Sequence, residues 1–452
     1  MRRFFYNIVL LLVPCSFCSS VTADEEQVSF YREILPILRA NCIACHKPSK
    51  SKGGLDLTTH GSLLQGGNDG LAINAGNALG SRLREVISGE EPEMPKDGEP
   101  LTPQEIDLIC RWITQGAIAD APVNTGSKRP TEPSTYRSLP AVHSLSFSPD
   151  GILLAVPGRH EIILHHADGS GVVSRLTGDS PRLESVAFSR DGTLIVASGG
   201  AVSEFGEVQI WDTAKRELLR SIKASNDAFY GVSISPDNRQ VAVGCADKIA
   251  RVFNIADGLE IMRCDNHLDW VFGSAFTNDG LRLATVSRDK AAKLIDIASG
   301  LLIDDINQSR DPLICLTRHP IDNVIATGGT EGKIRLFKME PRNGRLAEGD
   351  NKEESFIREF EHMASPIQAI AFSPDGAAIV CGALNGEIRI FKTENGQRIA
   401  QIQANHGPIF ALAFTADGKQ IAAGGYDGHI RLYEATRGEM VKEFDSVPVR
   451  RE

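Results

Sequence analysis

From about residue 141 onward the apolar positions fall in β-like runs separated by short polar turns, the spacing of strands rather than of helices. One turn recurs: FSPDG at 147–151, FSRDG at 188–192, ISPDN at 234–238, FTNDG at 276–280, FSPDG at 372–376 and FTADG at 414–418, with a degenerate copy, RHPID, at 318–322. A second column keeps the same register. His165, Trp211, Phe253, Ile295, Phe337, Phe391 and Tyr433 each close a run such as VQIW or IRLF, at separations of 46, 42, 42, 42, 54 and 42 residues. Six positions before the last five stand Asp247, Asp289, Glu331, Asn385 and Asp427, polar residues suited to a tight turn between two strands. Seven units are predicted.

A period of about 40 to 45 residues with four strands per unit predicts a seven-bladed WD-repeat β-propeller over 141–446. The likeness to WD repeats is worn. Only unit two keeps a literal Trp211-Asp212. The histidine before the first strand stands as His267, His362 and His406, and unit four retains His267, Ser287 and Asp289 with Ile295 in the tryptophan position. The segment 439–445 fits the outer strand of the last blade, whereas no outer strand is visible before 141. Insertions lengthen unit two (199–207) and the connection after unit five (339–360). His165 and His166 resemble a metal pair, but adjacent strand residues face opposite ways, and His165 occupies the packing column. No nucleophile–base–acid set stands out, and no Gly-rich phosphate loop follows a strand and opens a helix.

The amino-terminal end differs. Arg2 and Arg3 precede an apolar run from Phe4 to about Phe17, and Val21-Thr22-Ala23 offers a cleavage site before Asp24. This is the pattern of a signal peptide over 1–23. Its apolar run is shorter than the ~20 residues a membrane span needs; an uncleaved anchor is the rival reading. The expectation is an exported protein, periplasmic or beyond, with no membrane span after leader removal. The net charge of −10 argues against a nucleic-acid partner, which calls for basic patches. Of nine cysteines, Cys15 and Cys18 leave with the leader. Cys110, Cys245, Cys264, Cys315 and Cys381 are scattered, odd in number and set in apolar segments, so they form no disulfide framework. Residues 119–140, rich in Pro, Thr and Ser, read as a linker.

Between leader and linker stands Cys42-Ile43-Ala44-Cys45-His46. The spacing C-x-x-C-H is the attachment signature of c-type haem. Two thiols on one turn can add to both porphyrin vinyls, and the next residue, His46, supplies the proximal nitrogen. A zinc site would want a second C-x-x-C or paired histidines nearby. A redox dithiol would follow a strand, and here a helix-like run, SFYREILPILRA, leads in. Chance occurrence in a metal-free loop is the bland alternative. For the sixth iron position the candidate is Met94, whose neighbours in EPEMPKDGEP are charged and turn-forming. His60 is the runner-up and Lys96 a remote third. Thioether ligation raises the potential relative to two histidines. Thr102-Pro103-Gln104-Glu105 predicts a capping box opening a helix over about 103–115, with Ile106, Ile109, Cys110 and Ile113 on its inner face and Gly116 at its C-terminal stop. Trp112 reads as core or haem-edge packing.

With the helix into C-x-x-C-H, the K-G-G-L-x-L turn at 52–57 and the late Met-Pro before a capped L-T-P-x-E helix, residues 28–118 resemble the planctomycete-type cytochrome c domain. The resemblance implies a small all-α c-type cytochrome over 24–118, covalent haem through Cys42 and Cys45, His46 as proximal ligand and Met94 as distal ligand. Lys96 departs from the family, where a second proline often follows Met-Pro. Joined to a propeller, such a domain suggests an electron carrier that transfers single electrons to a redox partner protein and docks a further protein on its blades. The rivals are an oxidoreductase with its active site in the propeller, and a haem-bearing scaffold or gas sensor.

Overall fold

The computed structural model describes residues 27–43, 45–47, 50–58, 60–96, 98–119, 136–340, 355–404 and 406–450. The expected leader, most of the linker and the middle of the insertion after unit five (341–354) lie outside the described residues.

Seven four-stranded antiparallel sheets follow one another at 146–177, 182–225, 229–264, 271–308, 313–359, 367–403 and 409–445. Each is a meander in which every strand pairs with its sequence neighbours. The first strand of each sheet packs against the next sheet, and the seventh returns to the first through Ile409–Phe414 and Ser146–Phe147. These are the seven blades expected. The column from His165 to Tyr433 is buried throughout, and in blade 4, for example, Ile295 pairs with Leu283 on the preceding strand.

The recurring turn has a physical cause. In blade 1 the Ser148 hydroxyl donates to Asp150 (2.5 Å) and accepts from the Leu153 N–H (2.9 Å), while the same carboxylate accepts from the Ile152 N–H (3.0 Å). Ser189/Asp191, Ser235/Asp237, Thr277/Asp279, Ser373/Asp375 and Thr415/Asp417 repeat the hydroxyl–carboxylate bond. In the degenerate copy His319 takes the serine position and its Nδ1 accepts from the Asp322 N–H (3.0 Å). The polar turn residues Asp247, Asp289, Asn385 and Asp427 each accept from the backbone N–H two residues on, the Asx turn that their types favour.

Two details come from the structure. In blade 4 the hydroxyl on His267 belongs to Thr285 (2.7 Å), and Ser287 instead donates to the Asp269 carbonyl (3.0 Å); the other ring nitrogen of His267 meets Asp289 (2.8 Å). In blade 2 the extra residues extend the ladder, with Leu194–Ala201 and Phe205–Asp212 paired out to Ala201↔Phe205.

Among the described residues, ring closure uses no exchanged strand. The outer strand of blade 7 is Met440–Asp445. Beyond it Val449 bridges in parallel to Tyr136, and the Arg450 N–H donates to the Tyr136 carbonyl (3.0 Å). Tyr136, Ile163 and Val447 form a small core. His165 donates from Nε2 to the Ser446 carbonyl (2.9 Å), which gives this buried imidazole its role, while His166 is exposed.

The amino-terminal segment is a cluster of short helices: a π-helical turn Phe30–Ile34, α1 (Leu35–Asn41), α2 (His60–Gln65), α3 (Arg82–Ile87) and α4 (Pro103–Thr114). It is not purely helical as expected, because His46–Lys47 pairs with Lys50–Ser51 in a two-residue ladder. The capping box is present: the Glu105 N–H donates to the Thr102 hydroxyl (3.3 Å) and the Thr102 N–H to the Glu105 carboxylate (2.8 Å). Phe30, Ile34, Leu38, Leu63, Ile109 and Trp112 are central to its core.

Candidate functional site

α1 delivers the C-x-x-C-H stretch in one continued turn. The Cys42 N–H donates to the Leu38 carbonyl (2.8 Å), and the N–H groups of Cys45 and His46 both reach the Cys42 carbonyl (3.1 Å each). Cys42, Cys45 and His46 are thereby fixed on one short arc. The loop that follows folds back on them: Lys52 N–H to the Cys45 carbonyl (3.2 Å), Leu57 N–H to the His46 carbonyl (3.0 Å) and Asn68 N–H to the Gly53 carbonyl (2.8 Å). This explains the paired glycines. Gly53 and Gly54 have φ of 66° and 69°, a region that disfavours residues with a Cβ. A Cβ on Gly54 would also collide with the Asn68 side chain.

Met94 arrives from the other end of the segment. Its N–H donates to the Val86 carbonyl at the end of α3 (2.9 Å), and its half-buried side chain packs on the module's core. Cys42, Cys45, His46 and Met94 line one cavity of about 530 Å³, with Leu55, Leu57, Leu83, Val86 and Ile87 among its apolar walls. Sites of about 300–1,000 Å³ with apolar walls and a few placed polar groups suit organic ligands and cofactors. The cavity's sulfur and imidazole groups are two thiols, one thioether and one ring, a donor set that fits haem c, and Asn41, Lys52, Asp69, Arg82, Glu93 and Lys96 also line it. His46 Nδ1 is buried without a hydrogen-bond partner. Burial pushes the Cys42 thiol up to about 11, so it stays protonated rather than acting as an exposed redox thiolate. The residues present fit the group.

His60 lies elsewhere. Its Nε2 donates to the Ala117 carbonyl (2.7 Å) and its ring meets Phe30 edge-on, with centroids 5.1 Å apart; it does not line the cavity. Lys96 does line it, as an exposed residue. Trp112 is core, donating from Nε1 to the Ile118 carbonyl (2.9 Å). The α3 wall, Leu83, Val86 and Ile87, was not singled out from sequence, although its i, i+3, i+4 spacing is the mark of a helix face.

Among the described residues no group of three or more His, Cys, Asp or Glu is placed to hold a bare metal ion. Burial raises the thiols of Cys245 and Cys264 to about 11 and that of Cys381 to about 12, as small core hydrophobes rather than reactive groups. Among the described residues, no helix is long and apolar enough to cross a membrane.

Comparison with known proteins agrees with both halves. Residues 42–98 match the family described as Planctomycete cytochrome C. Residues 216–254 match the WD domain, G-beta repeat, and 351–416 and 395–449 match the WD40 domain of Anaphase-promoting complex subunit 4. The chain therefore carries a planctomycete cytochrome C domain and WD40 repeats that build a seven-bladed propeller. Among curated proteins it is similar to Eukaryotic translation initiation factor 3 subunit I of Aspergillus niger, 24% identical over 49% of this chain and 65% of that protein. The same subunit of Aspergillus terreus is 26% identical over 49% and 65%. A Guanine nucleotide-binding protein subunit beta-like protein of Encephalitozoon cuniculi is 21% identical over 50% and 58%. The chain thus spans less than two thirds of the length of these relatives.

Proposed function

We propose that this chain is an exported electron carrier of the c type, whose propeller is a platform for a protein partner. The observation that carries the reading is the convergence of Cys42, Cys45, His46 and Met94 on one apolar-walled cavity. Bound there, haem c would supply a one-electron couple. Cys42 and Cys45 would hold it through thioether links, His46 would take the proximal position and Met94 the distal one. The residues around them have separable tasks. α1 and the Lys52–Leu57 loop fix the two cysteines and His46 on one arc; Leu55, Leu57, Leu83, Val86 and Ile87 exclude water from the cavity; and the Val86 carbonyl anchors Met94.

Among the described residues of the propeller, many buried polar groups are spent in turn and cross-strand bonds, as His267 is with Asp289 and Thr285, and Arg431 with Asp427 and Glu443. That favours an interaction role over an active site, in keeping with the rigid, short-looped scaffold that repeats provide. Full-length protein produced with its leader, in a host that attaches haem c, tests the proposal. Intact mass of the mature chain is expected to show one porphyrin, retained after denaturation in acid. The Cys42→Ala/Cys45→Ala double variant is expected to lose it. A bare polypeptide in the wild type would overturn the haem assignment, and recovery of the protein from the cytoplasm alone would overturn export.

A further inference from the structure

Blade 3 departs from its six sisters where the helical module touches it. In every blade the first residue of the outer strand pairs with the packing column: Val172 with His165, Leu218 with Trp211, Leu302 with Ile295, Phe356 with Phe337, Arg398 with Phe391 and Met440 with Tyr433. None of these is buried. In blade 3 the position holds Glu260, paired with Phe253 and only 4% exposed. The Glu260 N–H donates to the Tyr31 hydroxyl of the module (3.4 Å).

The next departure is electrostatic. In blades 4, 5 and 7 a cation on the third strand faces an acid on the outer strand: Lys293–Asp305 (2.6 Å), Arg335–Glu359 (2.8 Å) and Arg431–Glu443 (2.6 Å). In blade 3 the cation Arg251 faces Arg263. Like charges directly opposite are destabilising on their own. Both guanidiniums are buried, and Glu260 reaches each of them at 3.6 Å. Asp247 closes on Arg251. A third guanidinium comes from the module: Arg39 of α1 sits in the field of Glu260, Arg251 and Asp247, and its Nε is buried without a partner. Two guanidiniums thus contact two carboxylates, and Arg39 nearby leaves the group with one positive charge in excess. Arg39 immediately precedes Ala40, Asn41 and Cys42, which line the cavity.

We propose that blade 3 tunes the reduction potential of the haem module, with Arg39, Arg251 and Arg263 favouring the reduced state through the excess positive charge of this buried cluster; the proposal rests on the haem reading above. A charge in a poorly solvated setting is weakly screened, and gaining an electron lowers the positive charge that the cluster repels. The three arginines touch neither thiol nor ligand, so they act as tuning residues rather than catalytic ones.

The test uses the full-length, haem-loaded protein and potentiometric titration followed by visible absorption. Arg263→Glu restores the pattern of blades 4, 5 and 7, removes one positive charge and adds a negative one. It is expected to fold and to lower the potential, by as much as a tenfold change in the redox equilibrium (~59 mV for one electron). Glu260→Gln is expected to raise the potential, Arg39→Gln to lower it and Arg39→Lys to hold it near wild type. Glu443→Gln in blade 7 is the control and should leave it unmoved. Opposite shifts from opposite charges are not what a purely structural contact would give. Shifts in one common direction, or no shift with Arg263→Glu, would overturn the tuning while leaving the haem assignment standing. A wild-type chain without porphyrin overturns the haem assignment first and the tuning with it.

Discussion

Removing one oxygen, with Tyr136→Phe, tests how the ring is closed. The Tyr136 hydroxyl donates to Glu161 Oε1 (2.8 Å) and accepts from the Arg159 N–H (2.9 Å). Burial, above all, pushes this phenol above its ordinary range, so it remains a donor. Glu161 has no solvent exposure, and its other contacts come from Arg175, at 2.7 Å to Oε2 and 2.6 Å to Oε1. Phenylalanine keeps the ring, its contacts with Ile163 and Val447 and its place beneath the Arg175 guanidinium, 5.7 Å from the centroid. The apolar burial is therefore unchanged and the whole effect is polar. A hydrogen bond to a charged group contributes roughly 1.5–3 kcal/mol, and a buried carboxylate left short of a donor raises the loss within that range. The Arg159 N–H belongs to an exposed residue and regains water. The expected loss is about 2–3 kcal/mol. The assay is urea unfolding followed by tryptophan fluorescence, where the midpoint should fall with the slope unchanged. In a double-mutant cycle with Glu161→Gln the two changes should couple by about 1 kcal/mol or more, as residues in one network do. A Tyr136→Phe protein within ~0.5 kcal/mol of wild type, the range of ordinary surface changes, would refute closure through this bond.

Three further outcomes are expected. His267→Ala removes the bonds to Asp289 and Thr285, at 2.8 and 2.7 Å inside blade 4, leaving Asp289 only its two backbone donors, and should cost about 2–4 kcal/mol by the same reasoning, read as a lower midpoint in thermal unfolding; an unchanged midpoint refutes it. The Asp191 carboxyl is held down to about 2, first by the Ser189 hydroxyl and then by the Thr193 N–H. A depressed folded value contributes stability above the ordinary 3.8 that disappears as pH falls towards 2, so Ser189→Ala should raise the pH of acid unfolding, and an unmoved acid midpoint would count against this turn bond. Met94→Ala in haem-loaded protein should let carbon monoxide shift the reduced spectrum at neutral pH, whereas His60→Ala should leave the spectrum alone and lower stability through the lost Ala117 bond; a reversal of the two results would move the distal ligand to His60.

The propeller was legible because its signals are local and repeated. The same hydroxyl–carboxylate bond recurs in six blades, and a large residue at a fixed offset packs the same way in each blade, so seven weak copies add up. Arg263, by contrast, looks like an ordinary outer-strand charge until it is seen opposite Arg251. Tyr136 stands in a Pro- and Ser-rich stretch whose composition says linker, yet it bonds to Val449 and Glu161 across more than three hundred and across twenty-five residues. No local pattern encodes such a pairing. In the module the residues of C-x-x-C-H that were expected as donors line one cavity, and the K-G-G turn was visible as a motif. Its purpose, returning backbone donors to the Cys45 and His46 carbonyls, needed the fold. His60 shows the limit from the other side: residue type made it a plausible ligand, and only its bond to Ala117 shows it occupied.

A propeller also carries its own controls. Six blades show how a position behaves when the outer strand faces solvent, so a seventh that breaks the pattern points to something covering it. Glu260 and Arg263 would be poor choices on a free edge: one places a carboxylate against the packing column, and the other sets two guanidiniums across a strand pair. Either defect costs stability in isolation. The remaining blades, each packed against its neighbours, can carry such a local cost, since stability in repeats is close to a sum over units and interfaces. What covers Glu260 is the module, whose Tyr31 hydroxyl accepts from the Glu260 N–H (3.4 Å) and whose Arg39 brings a further cation into the field of Glu260 and Asp247. Sequence features that harm one part of a chain and are mended by another are where physical reading expects function to lie. Here Arg39 is followed directly by Ala40, Asn41 and Cys42 of the cavity, so the two halves of the chain meet electrostatically beside the residues proposed above to hold haem.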